Sequence, residues 1–543
     1  MSDERSVDVL VVGAGFAGMY FLHRARGMGF EVAVVEAGGD VGGTWYWNRY
    51  PGARCDVQSV EYSYSFDEDL QQEWTWKERY APQPEILEYA SHVADRFDLR
   101  RDIRFDTKVT AAIWDDARRR WRVETDAGDA YDAANLVLAT GCLSSAMVPS
   151  IEGVADFAGR TFHTGRWPHE GVDFTGQRVG VIGTGSSGIQ SVPLIAEEAA
   201  ELYVFQRTAA YTVPAHNRAI APEEEREIKA GYAAFREANR QMPMAFGSRL
   251  TPGTGESALS VADDDRLAEF EQRWADGGLW FLTSYNDLLL DPNANATAAE
   301  FVRAKIAEIV DDPELAAKLS PEQLIGCKRL CVDTGYYATF NRPNVHLVDL
   351  KATPIEAITP AGIRTTDGEI ELDAIVYATG FDAMTGAILG IDIRGRDGLP
   401  LREAWEAGPR TYLGLGVHGF PNLFTITGPG SPSVLTNMIV SIEQHVEWIT
   451  DCLARLRDDG VATIEAAEAA QEEWVDFVNS VGNITVFPTC NSWYLGANVP
   501  GKIRQFMPYI GGVGSYRQKC DEVAAKGYEG FVLGKAREAV GAR

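Results

Sequence analysis

Val7-Asp8-Val9-Leu10-Val11-Val12 runs directly into Gly13-Ala14-Gly15-Phe16-Ala17-Gly18, and the reading of this stretch decides the fold. The first half is almost wholly β-branched or leucine, the composition of a strand buried on both faces of a parallel sheet. The second half is a GxGxxG turn. Residues 20–26 then read as helix and 31–35 as a second strand that ends at Glu36, 18 positions beyond Gly18. This is a βαβ unit with the context that a dinucleotide-binding loop requires. Gly13 permits the turn, Gly15 lets a pyrophosphate approach the backbone at the helix N-terminus, and Gly18 lets helix and strand pack closely. Glu36 would accept hydrogen bonds from a ribose.

The same grammar returns at 178–182 (RVGVI), followed by GTGSSG at 183–188, a helical stretch and a strand at 202–205. Here the strand-end position that would carry a carboxylate for a free 2'-hydroxyl carries Arg207, with Thr208 after it. A guanidinium forks onto a phosphate, so this loop favours NADPH over NADH, and Lys328 would supply a second cation. Two further apolar strands, 136–139 and 374–378, each end in Ala-Thr-Gly, as though each core has a late strand returning to its sheet. Ile228, Tyr232 and Phe235 repeat at i, i+4, i+7, as do Val302, Ile306 and Ile309, which reads as amphipathic helix. A further helix is expected over 443–456. The expected architecture is α/β, with two Rossmann-like dinucleotide-binding domains and a helical insertion. Residues 1–145 would begin the first dinucleotide domain and 146–213 the second. The insertion would span 214–330, the second domain would return over 331–383, and 384–543 would complete the first.

Composition narrows the function classes. In 543 residues, 45% hydrophobic and 24% charged, 50 Lys and Arg face 78 Asp and Glu for a net charge of −28. That is an ordinary globular balance, and its sign repels nucleic acid and anionic lipid. The polar start, residues 1–5, lacks the regions of a signal peptide, and no apolar run approaches the roughly 20 residues of a membrane span. The seven cysteines are scattered without a secreted disulfide spacing. A cytoplasmic protein in a reducing compartment is expected, with no metal, since the histidines show no ligand spacing. Two dinucleotide cores in one chain imply hydride transfer from NADPH to a flavin. Cys327 and Cys331 lack the CxxC spacing of a disulfide reductase, which leaves a plain dehydrogenase or a flavin that reacts with oxygen.

Between the cores, residues 157–169 read FAGRTFHTGRWPH. This resembles the FxGxxxHxxxWP motif, followed by Asp or His, of type I Baeyer-Villiger monooxygenases. The resemblance extends over GGTWYWNRYPGARCD (42–56), KRL (328–330), ATGFDA (378–383), GPGSPS (428–433) and SWYLGANVPGK (492–502), and so over almost the whole chain. Within the family it is nearest the phenylacetone and steroid monooxygenase branch, although Cys142 stands where the phenylacetone side carries glutamine. The resemblance implies that reduced FAD and oxygen form a C4a-peroxide, which inserts one oxygen atom next to a ketone carbonyl to give an ester or lactone. It makes Arg329 the catalytic arginine and Asp56 the carboxylate that aims it. It assigns Thr44, Trp45, Trp47, Asp56, Tyr62, Val109 and Met438 to FAD, beside Gly13, Gly15, Gly18 and Glu36. To NADPH it assigns Arg54, Thr184, Gly185, Ser186, Ser187, Gly188, Gln190, Arg207, Thr208, Lys328, Arg329 and, from a mobile loop, Trp493. Cys142, Leu143, Ser433, Val434 and Leu435 would face a small hydrophobic ketone. His163 and Trp167 read as hinge residues, because the chemistry needs no side-chain base. The partners are then the ketone and molecular oxygen, with no protein partner. An N- or S-oxidising flavin monooxygenase and a redox sensor that binds NADPH without turnover are the alternatives.

Overall fold

A computed structural model describes residues 5–535; residues 1–4, part of the polar start read above, lie outside them. The strand Arg5–Val12 sits in the parallel part of a mixed sheet, with Val32–Val35 on one side and Ala130–Leu138 on the other; Arg120–Thr125 runs antiparallel to both of its neighbours. The sheet continues through Arg120–Thr125, Val109–Asp115 and Asp392–Arg394 at one edge and ends at Ile103–Arg104 at the other. Leu423–Thr425 also pairs in parallel with Ala130–Leu138, so the chain after residue 384 rejoins the first sheet. The second sheet is wholly parallel: Val345–Asp349, Glu201–Gln206, Arg178–Ile182, Ala374–Tyr377, Arg160–His163. The molecule is therefore an α/β protein built on two Rossmann-like sheets.

The two turns repeat each other in backbone conformation and in what packs against them. Gly13 has φ +106° and Gly183 φ +112°, the region where only glycine is unstrained. A Cβ on Gly18 would collide with the Gly13 carbonyl oxygen, and one on Gly188 with that of Gly183. The late strands pass beneath: a Cβ on Gly13 would strike the Ala139 carbonyl, and one on Gly183 the Ala378 carbonyl. The Ala-Thr-Gly segments are thus small because the glycine turns rest on them. The helices Phe16–Gly27 and Ser186–Glu198 leave these turns.

The helical stretch has two features that the periodicity does not announce. The Ile228, Tyr232, Phe235 periodicity spans two helices, Pro222–Ala230 and Tyr232–Gln241, interrupted at Gly231. Nor does the stretch close a core of its own. Ile228, Tyr232, Phe235, Phe246 and Trp280 pack into the apolar cluster of the first sheet, whereas Phe270, Phe281, Val302 and Ile306 pack into that of the second. No helix among the described residues is long and apolar enough to cross a membrane.

The helix expected at 443–456 extends over Met438–Asp458 and carries His445, fully buried, whose Nδ1 accepts from the Thr427 backbone N–H at 2.9 Å. Thr427 has φ +55°, a conformation that a β-branched residue rarely adopts. Burial pushes the His445 pKa down to about 3.

Two outcomes follow from these contacts. Gly18→Ala should destabilise the protein by about 1–3 kcal/mol, the range for forcing atoms into a packed site, as read from urea denaturation midpoints. The unfolded chain protonates His445 near pH 6.5 while the folded chain refuses the proton until about pH 3. The unfolded state then binds more protons in that window, so stability falls as pH falls through it. Urea midpoints should drop between pH 6.5 and 4.5 more steeply for the natural protein than for His445→Asn; equal slopes would remove His445 from the account.

Candidate active site

Both glycine turns present an open helix N-terminus. Gly15 and Gly185 are the N-caps, neither helix has a capping side chain, and neither has an acidic residue in its first turn. A Cβ at Gly185 would meet nothing within 4 Å. Each turn therefore fits a pyrophosphate, which needs exposed N–H groups and no nearby carboxylate. At the first, Glu36 is buried and already accepts from Ala14 N at 2.6 Å and Gly38 N at 2.7 Å; each carboxylate oxygen keeps a second lone pair for a ribose hydroxyl. At the second, Gln206 turns away to the Lys318 carbonyl. Arg207 is exposed and makes no ion pair among the described residues. Lys328 is also without a carboxylate, and burial together with Arg207 and Lys351 lowers its pKa. Two cations that repel each other without a counter-charge fit a phosphate. Thr184 Oγ1 donates to the Thr208 carbonyl at 2.8 Å.

The aromatic segment links the two cores. Thr44–Trp47 is a single helical turn; Trp45 is buried and donates from its indole to Tyr62 at 3.2 Å, while Trp47 is half-buried. Tyr50 donates to the Gln190 side chain at 2.7 Å, and the Gln190 amide donates to the Arg54 carbonyl at 3.1 Å. The Arg54 guanidinium pairs with Glu78 at 3.3 Å and borders a cavity of about 860 Å³ shared with Asp333 and Tyr337. Ser186 Oγ lies 3.4 Å from Cys331 Sγ, and Ser187 Oγ 3.2 Å from Thr164 Oγ1. The Val109 side chain is packed in the core of the first sheet, so it offers a cofactor only its backbone.

Asp56, at the end of that segment, meets Arg329 across 273 positions of sequence. One carboxylate oxygen accepts from Arg329 Nε at 3.1 Å and Nη2 at 2.6 Å, and Nη1 donates to the Val434 carbonyl at 2.7 Å. Burial works against the guanidinium charge, but Asp56 and the Tyr494 hydroxyl outweigh it and raise the arginine above its ordinary pKa.

Val434 opens onto an apolar cluster. Cys142, Met384, Val434, Tyr494 and Met507 are buried in it, and Leu143, Leu435, Met438 and Trp493 pack against it. The structure thus gathers the residues expected to face substrate together with Met438 and Trp493. Ser433 is buried with its hydroxyl 4.0 Å from Met384 Sδ, and Cys142 donates to the Thr427 carbonyl at 3.0 Å. Met384, Thr427 and Ser433 all have φ between +40° and +67°; non-glycine residues held in this region cluster at ligand sites. The His163 ring is engaged on both sides, Nδ1 accepting from Gly165 N at 2.9 Å and Nε2 lying 3.2 Å from the Met147 carbonyl, and burial lowers its pKa. Trp167 is buried against Phe162 and Phe174.

Several site residues escape sequence reasoning. Tyr494 touches Arg329, and its tilted ring lies 4.2 Å from that of Trp493. Lys502 pairs with Asp382 at 2.5 Å, and Asn498 donates to the Phe381 carbonyl at 2.8 Å. These pairs fasten SWYLGANVPGK to ATGFDA, two motifs visible in the sequence whose contact is not. The cysteines, scattered without a disulfide spacing, do include one pair: Cys327 and Cys490 form a disulfide. They lie 163 residues apart, so folding alone brings them together and no local spacing announces them. Among the described residues no group of three or more His, Cys, Asp or Glu is placed to hold a metal ion.

A family model of pyridine nucleotide-disulphide oxidoreductases matches residues 10–262. Over 537 residues the chain is 42% identical to a Baeyer-Villiger monooxygenase of Pseudooceanicola batsensis, covering 98% of this chain and 97% of that one. Over 536 residues it is 40% identical to the phenazine N-monooxygenase PhzNO1 of Lysobacter antibioticus, covering 98% of each. Among solved structures it is similar to oxidized steroid monooxygenase bound to NADP, with TM-score 0.93, 52% identity and coverage of 98% of this chain and 100% of that one. It is likewise similar to the closed crystal structure of cyclohexanone monooxygenase, with TM-score 0.96, 44% identity and coverage of 98% and 100%. With both glycine turns, the Asp56–Arg329 pair and full-length relatives in agreement, the chain belongs to the Baeyer-Villiger monooxygenase family.

Proposed function

We propose that this chain is a flavin monooxygenase that uses NADPH and dioxygen to insert one oxygen atom beside the carbonyl of a hydrophobic ketone, releasing an ester or lactone. The observation that carries this reading is the Arg329 guanidinium, kept charged by Asp56 between two dinucleotide cradles and bordered by an apolar wall. FAD would lie along the first cradle, held by Gly13, Gly15, Gly18 and Glu36, by Thr44, Trp45, Trp47, Asp56, Tyr62 and Met438, and by the Val109 backbone. NADPH would lie along the second, on Thr184, Gly185, Ser186, Ser187, Gly188 and Gln190, with Arg207, Thr208 and Lys328 around its 2'-phosphate. Arg54 would border its nicotinamide half and Trp493 would cover it. When bound, the flavin takes hydride from the nicotinamide and activates dioxygen.

The chain's own part is electrostatic. Oxygen insertion builds negative charge on the ketone oxygen, and a cation that cannot lose its proton lowers the cost of that charge. Of the five N–H bonds of a guanidinium, two point to Asp56 and one to the Val434 carbonyl. The remaining two, one on Nη1 and one on Nη2, are left for a developing oxyanion. Asp56 fixes the plane of the group, so its role is to aim as well as to neutralise. Tyr494, Leu495 and Trp493 roof the apolar wall and would keep water from the reacting atoms. Cys142, Leu143, Ser433, Val434 and Leu435 would meet the ketone. His163 and Trp167 would act as hinge residues away from the chemistry, since both His163 nitrogens are engaged with backbone.

The full-length likeness to an N-oxidising enzyme favours a second reading, oxidation of a nitrogen or sulfur atom. That chemistry builds no oxyanion on the substrate, so it does not need Arg329 in the same way. Arg329→Ala should reduce ester or lactone formation by at least about 100-fold, the scale for loss of one oxyanion-stabilising group, while NADPH is still oxidised and hydrogen peroxide appears instead. Mass spectrometry of products from a ketone and a thioether reads the outcome; ketone oxygenation that survives the substitution would overturn the assignment. Arg207→Ala should raise the KM for NADPH by about 10- to 100-fold, as expected for one charge-assisted contact, and leave that for NADH unchanged. Steady-state kinetics with both nucleotides checks it.

A further inference from the structure

We propose that Cys327 and Cys490 are a reversible thiol–disulfide latch that fastens the roof of the apolar pocket to the chain segment carrying Lys328 and Arg329, and that hydrogen peroxide closes it. The positions make the case. Cys327 directly precedes Lys328, and Cys490 ends the short turn Phe487–Thr489, three residues before Trp493. Their Cα atoms are 5.8 Å apart. Around them lie Val486, Leu289 and Leu324, while the Arg504 guanidinium donates to the Cys490 carbonyl at 3.4 Å and Lys328 follows Cys327, so the apolar setting is bordered by cations of the kind that favour a thiolate.

The roof is fastened at both ends, in different ways. Its far end is held to 381–383 by polar contacts, Asn498 to the Phe381 carbonyl and Lys502 to Asp382 and the Ala383 carbonyl. Its near end is held by the disulfide and by Val486 N–H donating to the Leu289 carbonyl at 2.9 Å. Between these ends sit Tyr494, on Arg329, and Leu495, in the pocket wall. Reducing the bond leaves the near end on one backbone hydrogen bond and its apolar neighbours. A segment with fewer anchors opens more often, and an open roof admits water to the reacting atoms.

The oxidant is one that this chemistry supplies. The inference rests on the oxygenase reading above: with no ketone present, NADPH, a proton and dioxygen give NADP⁺ and hydrogen peroxide. The two thiols and one hydrogen peroxide then give one disulfide and two waters. The O–O bond and two S–H bonds break, the S–S bond forms, both sulfurs are oxidised and both peroxide oxygens are reduced. Escaping peroxide would therefore close the roof through which it escapes, and a cellular dithiol would reopen it.

The test uses the flavin-loaded natural protein, treated with hydrogen peroxide or with dithiothreitol and then desalted. Alkylation after denaturation should tag seven cysteines in the reduced sample. It should tag five in the oxidised one, Cys55, Cys142, Cys331, Cys452 and Cys520, with a linked peptide joining 327 and 490. Without ketone, the reduced sample should release roughly threefold or more peroxide per unit time than the oxidised one, and its 486–507 segment should be cut faster by protease. Cys490→Ser, or Cys327→Ser should that variant fail to fold, should behave as the reduced form whatever the treatment. Seven tagged cysteines after peroxide, or equal leak and equal cleavage in both states, would overturn the latch. Ketone conversion is scored separately: its absence with the thiol count still switching would defeat the oxygenase reading and leave the latch standing.

Discussion

The Arg329 side chain is about one-fifth exposed, and Asp56, buried to a similar degree, takes two of its N–H groups on one oxygen. Withdrawing a guanidinium this far from water is costly, and a partner carboxylate repays the cost without turning the pair into a large source of stability. The pair is better understood as a fixed field than as a brace. Asp56 comes from the segment after the first glycine turn and Arg329 from the segment before the late strand of the second sheet. The charge therefore exists in its place only when both sheets are assembled. The Val434 carbonyl takes a further N–H, so the apolar wall is oriented by the same group.

Around that pair the fold solves one problem twice. Each glycine turn lies over a late strand whose Ala carbonyl leaves no room for a Cβ, and each ends at a helix without a capping side chain. The backbones are interchangeable; the charges beside them are not. The first turn has Glu36 folded back on Ala14 and Gly38, and the second has Arg207 and Lys328 without a carboxylate. One backbone can thus serve two nucleotides, and in the proposed reading a few side chains at the strand ends would tell them apart. The reciprocal is physical as well: a carboxylate at the second site would repel the phosphate that the two cations fit.

The parts of this arrangement that were legible in the sequence are those written locally. The VDVLVV and RVGVI strands, the glycine turns and the late Ala-Thr-Gly strands each carry their reason in adjacent residues, because a turn that needs positive φ or a close carbonyl permits only glycine. Arg207 could be read for the same reason. What could not be read depends on distant segments meeting. The Cys327–Cys490 bond, the Tyr494 contact with Arg329 and the Lys502–Asp382 pair join stretches that no periodicity connects. The helices between the sheets mislead in a related way. Their apolar faces are plain at i, i+4, i+7, but a face does not say which core it will cover, and these cover two.

The apolar wall itself argues against a narrowly selective pocket. Its polar groups are engaged internally, Cys142 with the Thr427 carbonyl and Ser433 with Met384, so neither is left to reward one substrate hydroxyl or penalise its absence. Large discrimination comes from buried polar groups left unpaired by the wrong ligand, whereas one methylene in an apolar site is worth only about 1–3 kcal/mol. Met384, Met438 and Met507 contribute unbranched side chains that refill space as the ligand changes. In the proposed reaction selectivity would then come from position: the ketone oxygen would have to reach an N–H of Arg329 that neither Asp56 nor Val434 takes, and the rest of the molecule would be accepted if it can lie in the pocket while that contact is made.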